Sequence, residues 1–153
     1  MKRNAVYPGT FDPITNGHTD LVRRAASIFN RVVVAIAANP NKAPMFSLEQ
    51  RVDLARRVLS DLPNVEVMGY SGLTVEFCKK VRANFIIRGI RTSADFEFER
   101  SIGQVNKTLG PGIETIFLLS DPEYASLNSS IVREIISYNG DISSFVPAAV
   151  KVK

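Results

Sequence analysis

Short apolar runs alternate along the chain with segments whose apolar residues recur every three or four positions. The runs at 5–7, 32–37, 65–68, 85–88 and 115–119 predict five strands buried on both faces. Between them, Leu21, Val22, Ala25, Ala26 and Phe29 mark one helical face. Leu48, Val52, Ala55 and Leu59 mark a second, opened by the capping box Ser47-x-x-Gln50. Further helices are predicted over 73–81, over 94–109 with a stop at Gly110-Pro111-Gly112, and over 130–138 with a stop at Asn139-Gly140. A short helical stretch is expected to close the chain. This βαβα alternation predicts an α/β fold: a doubly wound, Rossmann-like, five-stranded parallel sheet flanked by helices, with ligands beyond the carboxyl ends of the strands.

Every Gly or Pro cluster falls between adjacent elements, and no repeat or linker interrupts them, so residues 1–153 are expected to form one domain. With 45% hydrophobic and 22% charged residues, order is expected up to Val150. Tyr7-Pro8-Gly9 interrupts the start before a signal-peptide apolar region can form. The longest apolar run, 32–38, is too short to cross a bilayer, so a cytoplasmic protein with no membrane partner is expected. Cys78 is the only cysteine and sits among Val75, Phe77 and Val81, which points to a helix face and not to a reactive thiol.

Lys and Arg exceed Asp and Glu by 19 to 15, a net charge of +4 that suits an anionic partner. Nucleic acid is disfavoured: basic residues cluster no further than pairs such as Arg23-Arg24 and Arg56-Arg57, and there is no zinc-ligand spacing.

Candidate chemistry gathers where strands end. The first strand runs into a loop over 9–18 in which Gly9 allows close backbone approach and Asn16-Gly17 leaves His18 in the first turn of a helix. Unpaired N–H donors there would favour a phosphate, although a lone histidine on a helix is more often just exposed. G-x-G-x-x-G is absent, which disfavours a nicotinamide oxidoreductase. Lys42, in a Pro-bounded loop after the second strand, is either an anion contact or a solvated charge. Arg88 stands where the fourth strand emerges and needs an anionic partner: a ligand, or a structural salt bridge to Asp95 or Glu99. Ser120-Asp121-Pro122 and Asn128-Ser129-Ser130 add hydroxyls and helix-start N–H groups at the same rim.

The block Tyr7-Pro8-Gly9-Thr10-Phe11-Asp12-Pro13-Ile14-Thr15-Asn16-Gly17-His18 resembles the bacterial phosphopantetheine adenylyltransferase family, of the nucleotidyltransferase superfamily marked by H/T-x-G-H. Asn39-Pro40-Asn41-Lys42, Ile87-Arg88-Gly89-Ile90-Arg91, Ala94-Asp95-Phe96-Glu97 and Ser129-Ser130 extend the resemblance over nearly the whole chain. It implies adenylyl transfer from ATP to 4′-phosphopantetheine with release of pyrophosphate and dephospho-coenzyme A, the penultimate step of coenzyme A biosynthesis. It also implies magnesium (Mg2+), a homohexamer and feedback by coenzyme A. By matching position, Thr10 and His18 would contact the transferred phosphate, and Lys42, Thr74 and Arg88 would hold the acceptor. Phe11, Gly17, Gly89, Ile90, Arg91 and Glu99 would line the nucleotide site, joined by Tyr124, Ala125, Ser126 and Leu127 and then by Asn128, Ser129 and Ser130. One departure is visible: three consecutive serines are common before the last helix, and Asn128 takes the first place here. The acceptor phosphate is already anionic at neutral pH, so in-line attack on the α-phosphate needs charge stabilisation and no strong general base. Two rivals remain: a nucleotidyltransferase acting on another acceptor such as nicotinamide mononucleotide, and a catalytically silent nucleotide-binding protein on the same scaffold.

Overall fold

A computed structural model describes residues 2–39, 41 and 43–151. Five parallel strands, β1 (Asn4–Gly9), β2 (Arg31–Ala37), β3 (Val65–Tyr70), β4 (Phe85–Ile90) and β5 (Glu114–Leu119), lie in the order β3-β2-β1-β4-β5. The connecting helices are α1 (Asn16–Ile28), α2 (Leu48–Val58), α3 (Thr74–Val81) and α4 (Ser93–Leu109). A single 3-10 turn, Pro122–Tyr124, precedes α5 (Ser129–Ser137).

The pleat of β2 divides the core. Val32, Val34 and Ile36 face α1, α2 and α5, while Val33 and Ala35 face α3 with Val75, Phe77 and Cys78. Only the central strands are covered on both faces. β3 and β5 are edge strands, where Met68 is 37% and Leu119 68% exposed, so the expectation of five doubly buried strands is corrected to three.

The second correction concerns the end of the chain. Among the described residues no helix forms after α5; residues 141–151 run as turns, with hydrogen bonds from Phe145 N to Ile142 O (2.9 Å) and from Val150 N to Pro147 O (2.9 Å). Pro147 disfavours helical geometry at Val146, and the segment instead buries Ile142, Val146 and Val150 against the α1 face of the core.

The sheet opens where the chain reverses direction. β1 and β4 pair only at Ala5–Phe85 and Val6–Ile86, whereas β1 and β2 stay in register from Asn4–Arg31 to Gly9–Ile36. The carboxyl halves of β1 and β4 therefore diverge, and the crevice between them is the switch point of a doubly wound sheet. Close packing of α1 on β4 brings the two sides of this crevice together: a Cβ on Gly89 would stand 2.9 Å from Leu21 Cδ1.

Candidate active site

Two cavities meet at this switch point. The larger, about 380 Å³, runs from the loop after β1 to the start of α5; the smaller, about 290 Å³, lies between β1, β3 and α4. Pro8, Gly9, Thr10, Arg88 and Glu99 line both, so the two share a wall made of the ends of β1 and β4 and one side chain from α4.

His18 is fixed by its own helix. Thr15 caps α1 by accepting from His18 N (3.3 Å), and His18 Nδ1 accepts in return from Thr15 N (3.0 Å). With Nδ1 as acceptor, the neutral ring carries its proton on Nε2. Burial, followed by the charges of Arg88 and Arg91, lowers the His18 pKa to about 4. The ring is therefore neutral near pH 7 and presents an N–H donor to the larger cavity, which it lines. Phe11 braces it: the two rings lie 4.7 Å apart at 67°, and Phe11 takes a left-handed backbone with φ 48°. Gly9 is required beneath Phe11, because a Cβ there would stand 2.8 Å from Phe11 Cε2.

The helix start offers fewer free donors than the sequence suggests. Asn16 N donates to Phe145 O (2.9 Å) and His18 N to Thr15, which leaves the Gly17 N–H without an acceptor among the described residues.

Arg88 does take the structural salt bridge. Its Nε and Nη2 donate to the two carboxylate oxygens of Glu99 (2.6 and 2.8 Å), and Nη1 donates to Pro8 O (2.8 Å) across the divergence of β1 and β4. Burial works against the charge of Arg88, but the Glu99 hydrogen bonds and carboxylate outweigh it and raise its pKa. Three of its five N–H groups are used, so two remain for a ligand anion. Nearby Tyr7 has its phenol pushed up to about 12 by burial.

The far wall is cationic and rich in donors. Arg91 is held by Asp95 Oδ2 (3.3 Å) and Leu127 O (3.1 Å). Asn128 caps α5 by accepting from Ile131 N (2.9 Å), so the departure at this position preserves the cap. Ser129 Oγ donates to Pro13 O (2.8 Å), and Ser130 Oγ accepts from Arg133 Nη2 (3.0 Å). The N–H groups of Ser129 and Ser130 have no acceptor among the described residues. With the dipole of α5 behind them, they form an anion-binding edge.

Thr10, Phe11, Gly17, His18, Arg88, Gly89, Arg91 and Glu99 are thus gathered on the larger cavity, together with Tyr124, Leu127, Asn128, Ser129 and Ser130. Thr74 lines the smaller cavity, where its Oγ1 lies 3.0 Å from the Tyr70 hydroxyl. Ile90, Ala125 and Ser126 belong to neither lining, and Lys42 lies outside the described residues. Sequence reasoning missed Tyr7, Tyr70 and Arg133 as wall residues, and it missed the buried pair Asp12 and Arg51 behind the wall.

Residues 6–135 match the model of the cytidylyltransferase-like family. A phosphopantetheine adenylyltransferase of Caldanaerobacter subterraneus is 49% identical over 97% of this chain and 92% of its own length. That of Thioalkalivibrio sulfidiphilus is 55% identical over 98% and 94%. The chain belongs to the cytidylyltransferase-like family and, within it, to the phosphopantetheine adenylyltransferases. A Vibrio parahaemolyticus protein assigned as a nicotinate-nucleotide adenylyltransferase superposes with TM-score 0.67 at 21% identity, covering 97% of this chain and 96% of that one. A lipopolysaccharide core biosynthesis protein of Thermoplasma volcanium does so with TM-score 0.58 at 19%, covering 79% and 99%. At those identities the likeness is one of fold. This phosphopantetheine adenylyltransferase family member thus shares its overall fold with both solved structures.

Proposed function

We propose that the chain transfers the adenylyl group of ATP to 4′-phosphopantetheine, giving dephospho-coenzyme A and pyrophosphate. The observation that carries this reading is the wall shared by two cavities: a reaction joining two phosphate-bearing molecules needs two sites that touch at the reacting phosphorus. ATP would occupy the larger cavity, with its β- and γ-phosphates toward Arg91 and the N–H groups of Ser129 and Ser130. The acceptor would occupy the smaller one past Tyr70 and Thr74, its phosphate held at Thr10 by the free N–H groups of Arg88 and by Lys42.

An oxygen of the acceptor phosphate attacks the α-phosphorus as the bond to the β-phosphate oxygen breaks, and pyrophosphate leaves with that electron pair. His18 Nε2–H and the Gly17 N–H would stabilise the charge on the α-phosphate oxygens. His18 serves as a donor and not as a base, which agrees with its lowered pKa and with a nucleophile that is already an anion. Among the described residues no group of three or more His, Cys, Asp or Glu could cage a metal. Magnesium would ride on the nucleotide phosphates and neutralise their charge.

Homohexamer assembly is part of the same reading. It is supported by a stripe on α4, Phe98, Ile102, Val105 and Leu109, whose spacing of four, three and four suits helix pairing and whose members are 38–66% exposed. A cytoplasmic location is supported by the lack, among the described residues, of any helix long and apolar enough to cross a membrane. Feedback by coenzyme A would arise because the inhibitor shares the adenylyl and pantetheine parts of the product.

The test is to mix purified protein, magnesium, ATP and 4′-phosphopantetheine and to look for dephospho-coenzyme A by mass, with nicotinamide mononucleotide as the control acceptor. Product with 4′-phosphopantetheine alone supports the reading. Product with the control alone would move the chain to the rival acceptor, and no product with either would favour a silent nucleotide-binding protein.

A further inference from the structure

Behind the shared wall lie two buried charges that make no ion pair with each other. Arg51 of α2 is 3% exposed and Asp12 of the loop after β1 is 2% exposed. Asp12 accepts from two backbone N–H groups of the segment leading into α2: Met45 N at 2.8 Å and Phe46 N at 2.9 Å. Arg51 donates to three carbonyls: Phe46 O from Nε (3.1 Å), and Thr10 O (2.9 Å) and Ala37 O (3.0 Å) from Nη1. Residue Phe46 is thus gripped on its N–H by Asp12 and on its C=O by Arg51. The ends of β1 and β2, the segment before α2 and α2 itself are stitched into one unit.

Arg51 occupies a position that an apolar residue would fill without loss of solvation, three residues after Leu48 and four before Ala55 on the core-facing stripe of α2. Its guanidinium is there for its geometry: a planar fork reaches carbonyls of three separate segments at once, which a point charge or an alkyl chain cannot do. Two of those carbonyls belong to Thr10 and Ala37, which line the smaller cavity, and Thr10 lines the larger one as well.

We propose that Arg51 is a positioning residue for the transfer step, holding the backbone of Thr10 and Ala37 so that the Thr10 side chain stands correctly between the two reacting phosphates. This rests on the assignment of the two cavities to ATP and acceptor. Displacement of a contact by about an ångström can cost two orders of magnitude in rate, so the loss of this brace reads out in turnover.

The test compares Arg51→Lys, Thr10→Ala and the double variant by steady-state kinetics on both substrates. Arg51→Lys is expected to lower kcat by about tenfold or more while the KM for ATP changes by less than about twofold. The double variant is expected to be no slower than Thr10→Ala alone, since Arg51 would act through Thr10. Leu59→Ala, in the core at the far end of α2, serves as a destabilised control whose kcat stays normal well below its Tm. Should Arg51→Lys not fold, Asp12→Asn opens the same stitch from the other side and is expected to show the same non-additivity with Thr10→Ala. Additive losses, or a kcat loss in Leu59→Ala that matches the Arg51 variant at equal Tm, would overturn the inference and leave it a purely structural arginine. A wild-type protein that makes no dephospho-coenzyme A would instead overturn the functional reading on which it rests.

Discussion

Replacement of His18 separates its two tasks, because the ring both closes the cap of α1 and presents a donor to the cavity. His18→Ala removes the acceptor for Thr15 N and the contact with Phe11, together worth about 2 kcal/mol. For a domain of this size that is a fall of roughly 4–8 °C in Tm. It also removes the Nε2–H, and loss of one donor at a developing oxyanion lowers kcat by about a hundredfold to a thousandfold. His18→Gln rebuilds a cap that this chain already uses at Ser47 and Gln50, where Gln50 Oε1 accepts from Ser47 N at 2.9 Å. It is therefore expected to recover about half the lost stability and to retain a partial donor, with kcat between those of wild type and His18→Ala. His18→Glu keeps the cap and suits the helix dipole, yet sets a carboxylate against the α-phosphate, so it is expected to be as stable as the Gln variant and slower than the Ala variant. Pyrophosphate release at saturating substrates and thermal melts together rank the series. A His18→Ala enzyme within about threefold of wild-type kcat, or a Glu variant as active as Gln, would refute the donor role.

The protonation of His18 gives a second expectation. Its folded pKa, about 4, lies below the unfolded value near 6.5, so the unfolded chain takes up the proton first. The stability tied to this group is complete above about pH 6.5 and is lost as pH falls towards 4. Urea unfolding over that window is expected to be flatter in His18→Gln, and kcat should show no break near 6.5 that disappears in the variant. Arg88→Lys keeps a cation beside Glu99 but loses the two-pronged pairing; calorimetry should show acceptor binding weakened more than ATP binding, and the reverse order would mean the two cavities are exchanged. Cys78 is fully buried and its thiol is pushed up to about 11 by burial, so a thiol reagent should label it only on unfolding, and rapid labelling of the native protein would contradict its place in the core.

The parts of the sequence that could be read are those with local rules. The β1 loop announced itself through glycines beside a histidine at a helix start, and α1 and α2 through apolar stripes that the structure buries as Leu21, Val22 and Ala25 and as Ala55. Edge and centre strands were not told apart, although the run Val65 to Met68 carried a signal in Glu66, which points to the solvent side of edge strand β3 while Val67 is buried. The tail misled for a different reason: Ile142, Val146 and Val150 recur every four residues as in a helix, but Pro147 and the bond from Asn16 N to Phe145 O settle it into turns. Arg88 left two readings open: the structure shows the salt bridge, with two hydrogen bonds to Glu99 and a third to Pro8 O, and it leaves two N–H groups free. Arg51 did leave a signal, a charge in phase with an apolar stripe, whereas nothing marked Asp12 as buried, because its partners, two backbone N–H groups and the Arg133 guanidinium at 3.9 Å, are distant in sequence.

The most direct measurement is the position of the diphosphate in a crystal structure with dephospho-coenzyme A bound. The account expects the α-phosphorus at the shared wall, with a phosphate oxygen within hydrogen-bond reach of His18 Nε2, the neighbouring phosphate against Arg88, and the pantetheine arm running past Tyr70 and Thr74. A diphosphate bound away from His18, or a pantetheine arm lying outside the smaller cavity, would contradict it.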